Sequence, residues 1–556
     1  MVKKYIGISL VALSLGLTSC DDFLDKLPDN RTEANTEEKI EKLLVSAYPT
    51  HDHMAFTEYA SDNVDDMGDN NPYSDRFLTQ CYKWIDITET DNQDPEYYWE
   101  DLYQCIETAN MALEGIESMG GARTTELKEA QAEALMCRAY AHFMLVNIFA
   151  PHYDVGNPDA MGVSYVTETE KELNPSYVRE TVHENYAHIE KDLEAALPNV
   201  GDSYYDVPKY HFNKNAAYAF ASRFYLYYEK YDKAIEFANK VLGTNPGNML
   251  RDYSTIASMT RDFDPVSQHM IQATINCNLL LLTSYSKQPV LTGPYYTGKR
   301  YSHCEYLGMN ETLNALAALW GGDYNSFYYQ VARYSGTNLN TWAMWRLPYL
   351  FEVTDPVAGI GFSHTVYNAI TGDEVLLNRA EAYIMQKNYD KAAADMTIWV
   401  QNVSRKAKND GFVVTPAIVD NFMKNIAYSY DGEDGTAKGG IESTLKKHLN
   451  PKFTIDAEGS TQENMIQLVL AMRRYETLHE GKRWFDIKRW GIEIPRRTMN
   501  GEGLPLIIND WLTVDDPRRA IQIPQKVREA GYSPNPRPTS GNDDQGALIP
   551  NDYLLK

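Results

Sequence analysis

The sequence predicts a mainly α protein, a scaffold of stacked helix pairs from which large irregular excursions project. Three observations carry this. Apolar residues recur at helical spacing over long segments. One helix-pair pattern occurs more than once. The stretches between are long, lack helical period and are rich in Tyr, Gly, Asn, Ser and Pro. A chain of 556 residues is long enough to bury a large core around such a scaffold.

The helices follow in order. Residues 37–47 form a short amphipathic segment. Residues 97–119 place Leu102, Ile106, Ala109 and Leu113 along one side, and 124–149 do the same with Leu127, Ala134, Leu135, Ala139, Phe143 and Val146. Residues 182–196 stop before Pro198. Residues 214–228 and 231–242 make a pair, 373–386 and 389–408 a second, and 464–490 reads as one more long helix. Tyr231-Asp232-Lys233-Ala234 recurs as Tyr389-Asp390-Lys391-Ala392; Phe224-Tyr225 aligns with Ala382-Tyr383 at the same offset, and Ala139-Tyr140 stands in a similar setting. A helix rich in Ala, Arg and Tyr, a short turn and a helix opened by Tyr-Asp-x-Ala resembles the tetratricopeptide unit. One such pair cannot bury its own face, so several must stack.

The copies are not in tandem, because residues 243–372 interrupt them. There Leu279-Leu280-Leu281-Leu282 reads as a buried strand or a helix start, and Gly293-Pro294, Gly321-Gly322 and Gly336-Thr337 read as turns. Residues 51–95, 411–463 and 493–556 are also irregular. Long loops in a compact domain are functional or flexible.

The first residues read as a leader. Lys3 and Lys4 precede an apolar run of about a dozen residues, too short to span a bilayer. The run ends in Leu17-Thr18-Ser19-Cys20, which resembles a bacterial lipobox with cleavage before a lipidated Cys20. Acyl chains contribute about 0.8 kcal/mol per buried CH₂, so several on one residue anchor durably. The expected organisation is a signal peptide at 1–19, a lipidated tether at 20–36 and one body at 37–556. Within that body, helix pairs lie at about 97–243 and 373–409, an irregular ligand-binding region at about 244–372, and a C-terminal region at about 464–556. No later segment approaches the roughly 18 consecutive apolar residues of a membrane helix.

A formal net charge of −25 argues against nucleic acid, anionic glycans or acidic lipid as partners by bulk charge. Beyond Cys20, the cysteines are Cys81, Cys105, Cys137, Cys277 and Cys304. An odd number without CxxC is neither a disulfide framework nor a zinc site, and Cys105 and Cys137 read as small buried hydrophobes. The two histidines of His183-Glu184-Asn185-Tyr186-Ala187-His188 are five apart, so they do not share a helix face as a zinc protease needs. No Walker A, GxSxG or dinucleotide-binding glycine motif in a strand–helix setting occurs, and neither a catalytic residue nor a cofactor or metal is assigned. The acidic run 62–70 reads as a solvated loop, with a loop calcium site as the alternative.

Glu476-Thr477-Leu478-His479-Glu480-Gly481-Lys482-Arg483-Trp484-Phe485-Asp486-Ile487-Lys488-Arg489-Trp490-Gly491 resembles the E-x-x-x-E-G-x-R-W/Y-x-D-L-x-R-W-G signature of the SusD/RagB family. Residues 373–383 resemble a family helix. Ile521-Gln522-Ile523-Pro524 with Asn535-Pro536 resembles its closing motif, though Arg537-Pro538 replaces the usual Q-N. Cys20-Asp21-Asp22-Phe23-Leu24-Asp25 resembles its start. The resemblance implies a tetratricopeptide-containing α fold and a lipid-anchored place on the outer face of an outer membrane. It also implies a SusC-like TonB-dependent transporter as partner, and a cargo of oligosaccharide or, in the RagB branch, peptide. Glu480, Arg483, Asp486 and Arg489 read as an ion-pair network fixing the helix to the scaffold rather than as an active site.

A neutral oligosaccharide is recognised by aromatic faces against its C–H surfaces and by polar side chains at its hydroxyls. Candidates in the irregular segments are Tyr73, Trp84 and Asn92; Tyr295 and Tyr296; and Trp320, Tyr324, Asn325 and Tyr328, with Asp75 and Arg76 as further hydrogen-bonding groups. The leading expectation is therefore a glycan-binding protein that is not an enzyme. A peptide binder is the alternative, and an extracellular glycosidase a third.

Overall fold

In a computed structural model of the chain, residues 34–69, 71–89, 93–171, 177–295, 298–335 and 339–538 are described. The expected leader, Cys20, Asn92 and Tyr296 lie outside the described residues. The first helices are α1 (Glu37–Leu44), α2 (Met54–Ala60), α3 (Arg76–Tyr82), α4 (Pro95–Ser118), α5 (Thr125–Phe149), α6 (Val182–Ala196), α7 (Lys214–Tyr227) and α8 (Tyr231–Leu242). Except at α2 and α8, their starts are set by side chains that accept otherwise unpaired backbone N–H groups. Asp94 caps α4, with Pro95 in its first turn. Thr124 caps α5, and Thr181 with Glu184 forms a reciprocal capping box on α6.

The interrupted repeat is continuous in space. After the insertion come α9 (Tyr253–Ser258), α10 (Phe263–Met270), α11 (Gln288–Thr292), α12 (Glu305–Asn310), α13 (Leu313–Ala317), α14 (Gly372–Met385) and α15 (Tyr389–Val403). Helix α5 packs on α4 and α6, α7 on α8, α8 on α14, and α14 on α15. The repeat extends to the backbone, since Glu229 and Lys387, each two residues before Tyr-Asp-x-Ala, both take positive φ. It extends to chemistry as well. Arg138 of α5 grips Asp192 of α6 through two 2.7 Å bonds and donates to Asn110 of α4. Arg379 of α14 grips Asp395 of α15 and donates to Asn239 of α8. The fork geometry of arginine makes each a rigid three-helix tie.

The 244–372 region is more ordered than its composition suggests. Besides α9–α13 it carries β2 (Asn278–Ser284), with the run of leucines, following β1 (Asp65–Asp66) and preceding β3 (Tyr301–Ser302), β4 (Ala332–Tyr334), β5 (Thr341–Ala343), β6 (Leu350–Asp355) and β7 (Ile360–Thr371). Strands β2, β7 and β6 form an antiparallel sheet in that order. The C-terminal part adds α16 (Arg405–Asn409), α17 (Pro416–Lys424), α18 (Thr461–Glu476), α19 (Arg483–Arg489), β8 (Ile494–Met499), β9 (Pro505–Leu512) and α20 (Gln525–Glu529). Strand β1 joins β3 to β8, so the order β3-β1-β8-β9 stitches together three distant stretches of chain. The closing motif clamps the C-terminal strap onto α5: Gln522 and Asn535 bond each other, and the Asn535 amide donates to Phe149 O at 2.8 Å.

Two expectations are corrected. The helix expected over 464–490 breaks after Glu476. His479 and Gly481 take positive φ, and their N–H groups donate to the Glu58 carboxylate of α2 at 2.9 and 3.0 Å. The acidic run 62–70 is not solvated throughout either, because Asp62, Asp65 and Asp66 are buried while Asp69 is exposed. Arg483 grips Asp62 at 2.9 Å through two nitrogens, Arg497 grips Asp65, and Arg300 grips Asp66. Glu311 sits among Lys447, Arg474 and Arg497. Burial alone raises the Glu311 carboxyl, but those three cations outweigh it and bring it down to about 2. Among the described residues no cluster of three or more metal-ligating side chains occurs, and no helix is long and apolar enough to cross a membrane. The five cysteines from Cys81 to Cys304 are free and buried.

Candidate ligand-binding site

The sequence-derived candidates fall into groups with different surroundings. Tyr295 follows α11 and is 42 % exposed. Its ring meets the edge of Phe263, at the start of α10, with centroids 5.3 Å apart, and lies 5.2 Å from Tyr349. Phe263 packs in turn on Trp345. The Tyr349 hydroxyl is fixed on Ser363 of β7 at 3.2 Å. Burial and the Asp264 carboxylate push the Tyr295 phenol above its ordinary value. Tyr73 belongs to the neighbouring segment. Its N–H donates to Gly298 O and its carbonyl accepts from Arg300 N, so the first excursion is zipped to the residues after Tyr295. Phe263, Trp345 and Tyr349 were not singled out in the sequence. The available signal was the aromatic character of the 243–372 stretch in which all three lie.

Other candidates are engaged by the protein itself. Trp84 is 6 % exposed; its indole N–H donates to Ala60 O, and the guanidinium of Arg496 lies 3.8 Å from its ring centroid. Trp320 is buried, donates to Ser326 and packs edge-on to Phe327. Both serve packing, and neither leaves a broad ring face for a sugar. Tyr324 is half-buried against Trp342, with the Arg333 guanidinium 4.3 Å over its ring. Tyr328 is half-buried with Arg405 5.5 Å from its centroid. Asn325 is exposed in the same turn, and its backbone N–H donates to Asp323. A ligand at Tyr324 or Tyr328 has to share the ring with a cation. Asp75 caps α3, and exposed Arg76 donates to Thr88. A cleft of about 250 Å³ beside Trp84 is ringed by ion pairs, among them Asp86 with Arg537.

The structure thus defines a class: a helical-repeat scaffold whose inserted segments carry rigid, partly exposed aromatic rings, with its charged signature spent on internal ties. Comparison with known proteins agrees. A family profile described as "Starch-binding associating with outer membrane" matches residues 22–226, and one described as "SusD family" matches residues 321–544, together well over half of the chain. The chain belongs to the SusD family. Among solved structures it is similar to a SusD superfamily protein of Bacteroides thetaiotaomicron (17 % identity, TM-score 0.60, covering 90 % of this chain and 100 % of that one). It is also similar to a putative sugar binding protein of Bacteroides vulgatus (17 %, 0.61, 91 % and 99 %) and to a laminarin binding SusD-like protein (17 %, 0.53, 91 % and 99 %). No curated protein matches.

Proposed function

We propose that the protein is a non-catalytic binder of neutral oligosaccharides. In this reading it is held at the outer face of an outer membrane by acyl chains on Cys20 and passes its cargo to a SusC-like TonB-dependent transporter. The observation that carries the reading is the Tyr295–Tyr349–Phe263 platform, a partly exposed aromatic surface held in place by its neighbours in a chain of the SusD family. Rings fixed before binding lose little freedom on meeting a ligand. The printed names of the laminarin-binding and sugar-binding neighbours point the same way, as does the net charge of −25, which disfavours anionic cargo. Handing cargo onward calls for weak, reversible contact, which a shallow aromatic surface provides.

Calorimetry against neutral gluco-, manno-, galacto- and xylo-hexaoses tests the reading. We expect binding to at least one, weakened about tenfold, or ~1.4 kcal/mol, by Tyr295→Ala. Binding to peptides and to none of the sugars would move the assignment to peptide uptake. Turnover abolished by one Asp or Glu substitution would make the protein a glycosidase. Cys20→Ala should shift the protein from the membrane to the soluble fraction, and co-purification with a TonB-dependent barrel tests the partner.

A further inference from the structure

A second surface has the build of a sugar site and shares no residue with the Tyr295 platform. It is a groove of about 320 Å³ along one side of α4, at the small end of the roughly 300–1,000 Å³ usual for ligand pockets. Helix α4 supplies Trp99, Glu100, Tyr103, Gln104, Ile106 and Glu107. These fall at i, i+1, i+4, i+5, i+7 and i+8, a continuous stripe on one helix face. Val166, Glu170, Tyr177, Val527 and Tyr532 complete the lining.

The aromatic rings are pinned by their tips. Tyr103 donates to Ser164 O at 3.1 Å. The Tyr532 hydroxyl accepts from Ser164 N at 2.9 Å. Tyr177 donates to Glu170 at 2.5 Å. Trp99 packs on Tyr103 and edge-on to Tyr532, with centroids 5.1 and 5.6 Å apart. With their hydroxyls committed to protein, what Tyr103, Tyr177 and Tyr532 offer a visitor is ring face, with buried Trp99 as their backing. The polar groups of the lining are carboxylates and an amide: Glu100 and Gln104, both exposed, with Glu107 and Glu170. Among the described residues no Lys or Arg lines the groove. The nearby Arg179 lies with its guanidinium 5.8 Å from the Tyr532 ring centroid and is held by bonds to Gly162 O, Ser533 O and Asn535, so Tyr532 shares its ring with a cation while Tyr103 and Tyr177 do not.

Fixed ring faces beside acceptors, with no cation among the described lining residues, match a ligand that presents C–H surface and donates many hydroxyl hydrogens, and they repel an anionic one. We infer that the α4 groove is a second binding site for neutral glycan, engaging a chain segment distinct from the one on the Tyr295 platform. The inference rests on the glycan-binding reading above. Its consequence is avidity. A polysaccharide long enough to reach both sites is retained far better than its affinity for either implies, and a short product is released.

The test removes the first site to expose the second. Wild type, Tyr295→Ala/Tyr349→Ala, and that pair combined with Tyr177→Ala/Gln104→Ala are titrated with the neutral hexaoses, after circular dichroism and melting show each variant folded. Tyr177 and Gln104 lie at the surface, so folding should survive. We expect the platform variant to keep residual binding at least tenfold weaker than wild type, and the combined variant to lose it. Residual binding unmoved by the groove substitutions, or none in the platform variant, overturns the groove while the glycan reading stands. Groove substitutions that change only the binding of choline, used as a cationic probe, also overturn it. Wild type that binds no hexaose overturns the glycan reading and the groove together, whereas platform substitutions without effect overturn the platform alone.

Discussion

At the scale of single residues, the charged core has a defined weak point in Glu311. One of its carboxylate oxygens meets Lys447 at 2.8 Å and Arg474 at 2.9 Å, and the other meets Arg497 at 3.2 Å. All four side chains are buried. Glu311→Gln leaves those cations partly uncompensated, and removing one partner of a buried pair costs about 3–5 kcal/mol. Urea unfolding should show that loss, and a change below about 1 kcal/mol would mean that Asp62 and Asp65 suffice. His448 is a milder case nearer the surface. Burial lowers an imidazole, but Glu458 at 2.7 Å and Asp431 at 2.9 Å outweigh it and hold His448 above its ordinary value. Its folded pKa is raised, so its contribution is complete below about pH 6.5, the unfolded value, and is lost as the pH rises through the folded value. An NMR titration of this imidazole should give a midpoint above 6.5. A midpoint at or below it would show that the two carboxylates do not act on it.

At the scale of elements, the break between α18 and α19 depends on Gly481. Its φ is +69°, and a Cβ there meets Thr57 Oγ1 at 2.2 Å and Met54 Cα at 2.8 Å. Left-handed backbone alone costs a side chain roughly 1–2 kcal/mol, and the collision adds to it. Gly481→Ala should lower the melting temperature by several degrees, whereas Gly459→Ala, also at positive φ but with open space around it, should lower it less. This break also shows where sequence reading ends. The helix pairs were legible because the 3.6-residue period and Tyr-Asp-x-Ala are local. The break was not, because apolar spacing continues through it and Glu58 of α2 imposes it from outside. The first part of the acidic run, 62–66, was misread for the same reason: composition counts charges, but Asp62 meets Arg483 across 421 residues of chain. Tyr349 belongs to the platform through tertiary contact, a property that no single-residue pattern carries.

At the scale of the whole molecule, the charge of −25 acts as a filter. At low ionic strength it repels polyanions and leaves neutral chains unaffected. Binding of a neutral glycan should therefore change little between low and physiological salt, while a uronic acid polymer should bind more weakly than its neutral counterpart at low salt and recover as salt rises. An affinity that falls steeply with salt would point to a local cationic site instead. The packing of α8 on α14 acts on another time scale, that of synthesis. Helix α8 ends at Leu242, and α14 begins only at Gly372. A growing chain has made the first half of its helical stack well before the surface that covers α8 emerges. Joining the halves is not held back by the length between them, since each doubling of a loop adds only about 0.6 kcal/mol. The delay lies in translation itself. Until the later helices arrive, the nascent N-terminal part carries an uncovered apolar stripe, the kind of surface through which incomplete chains associate.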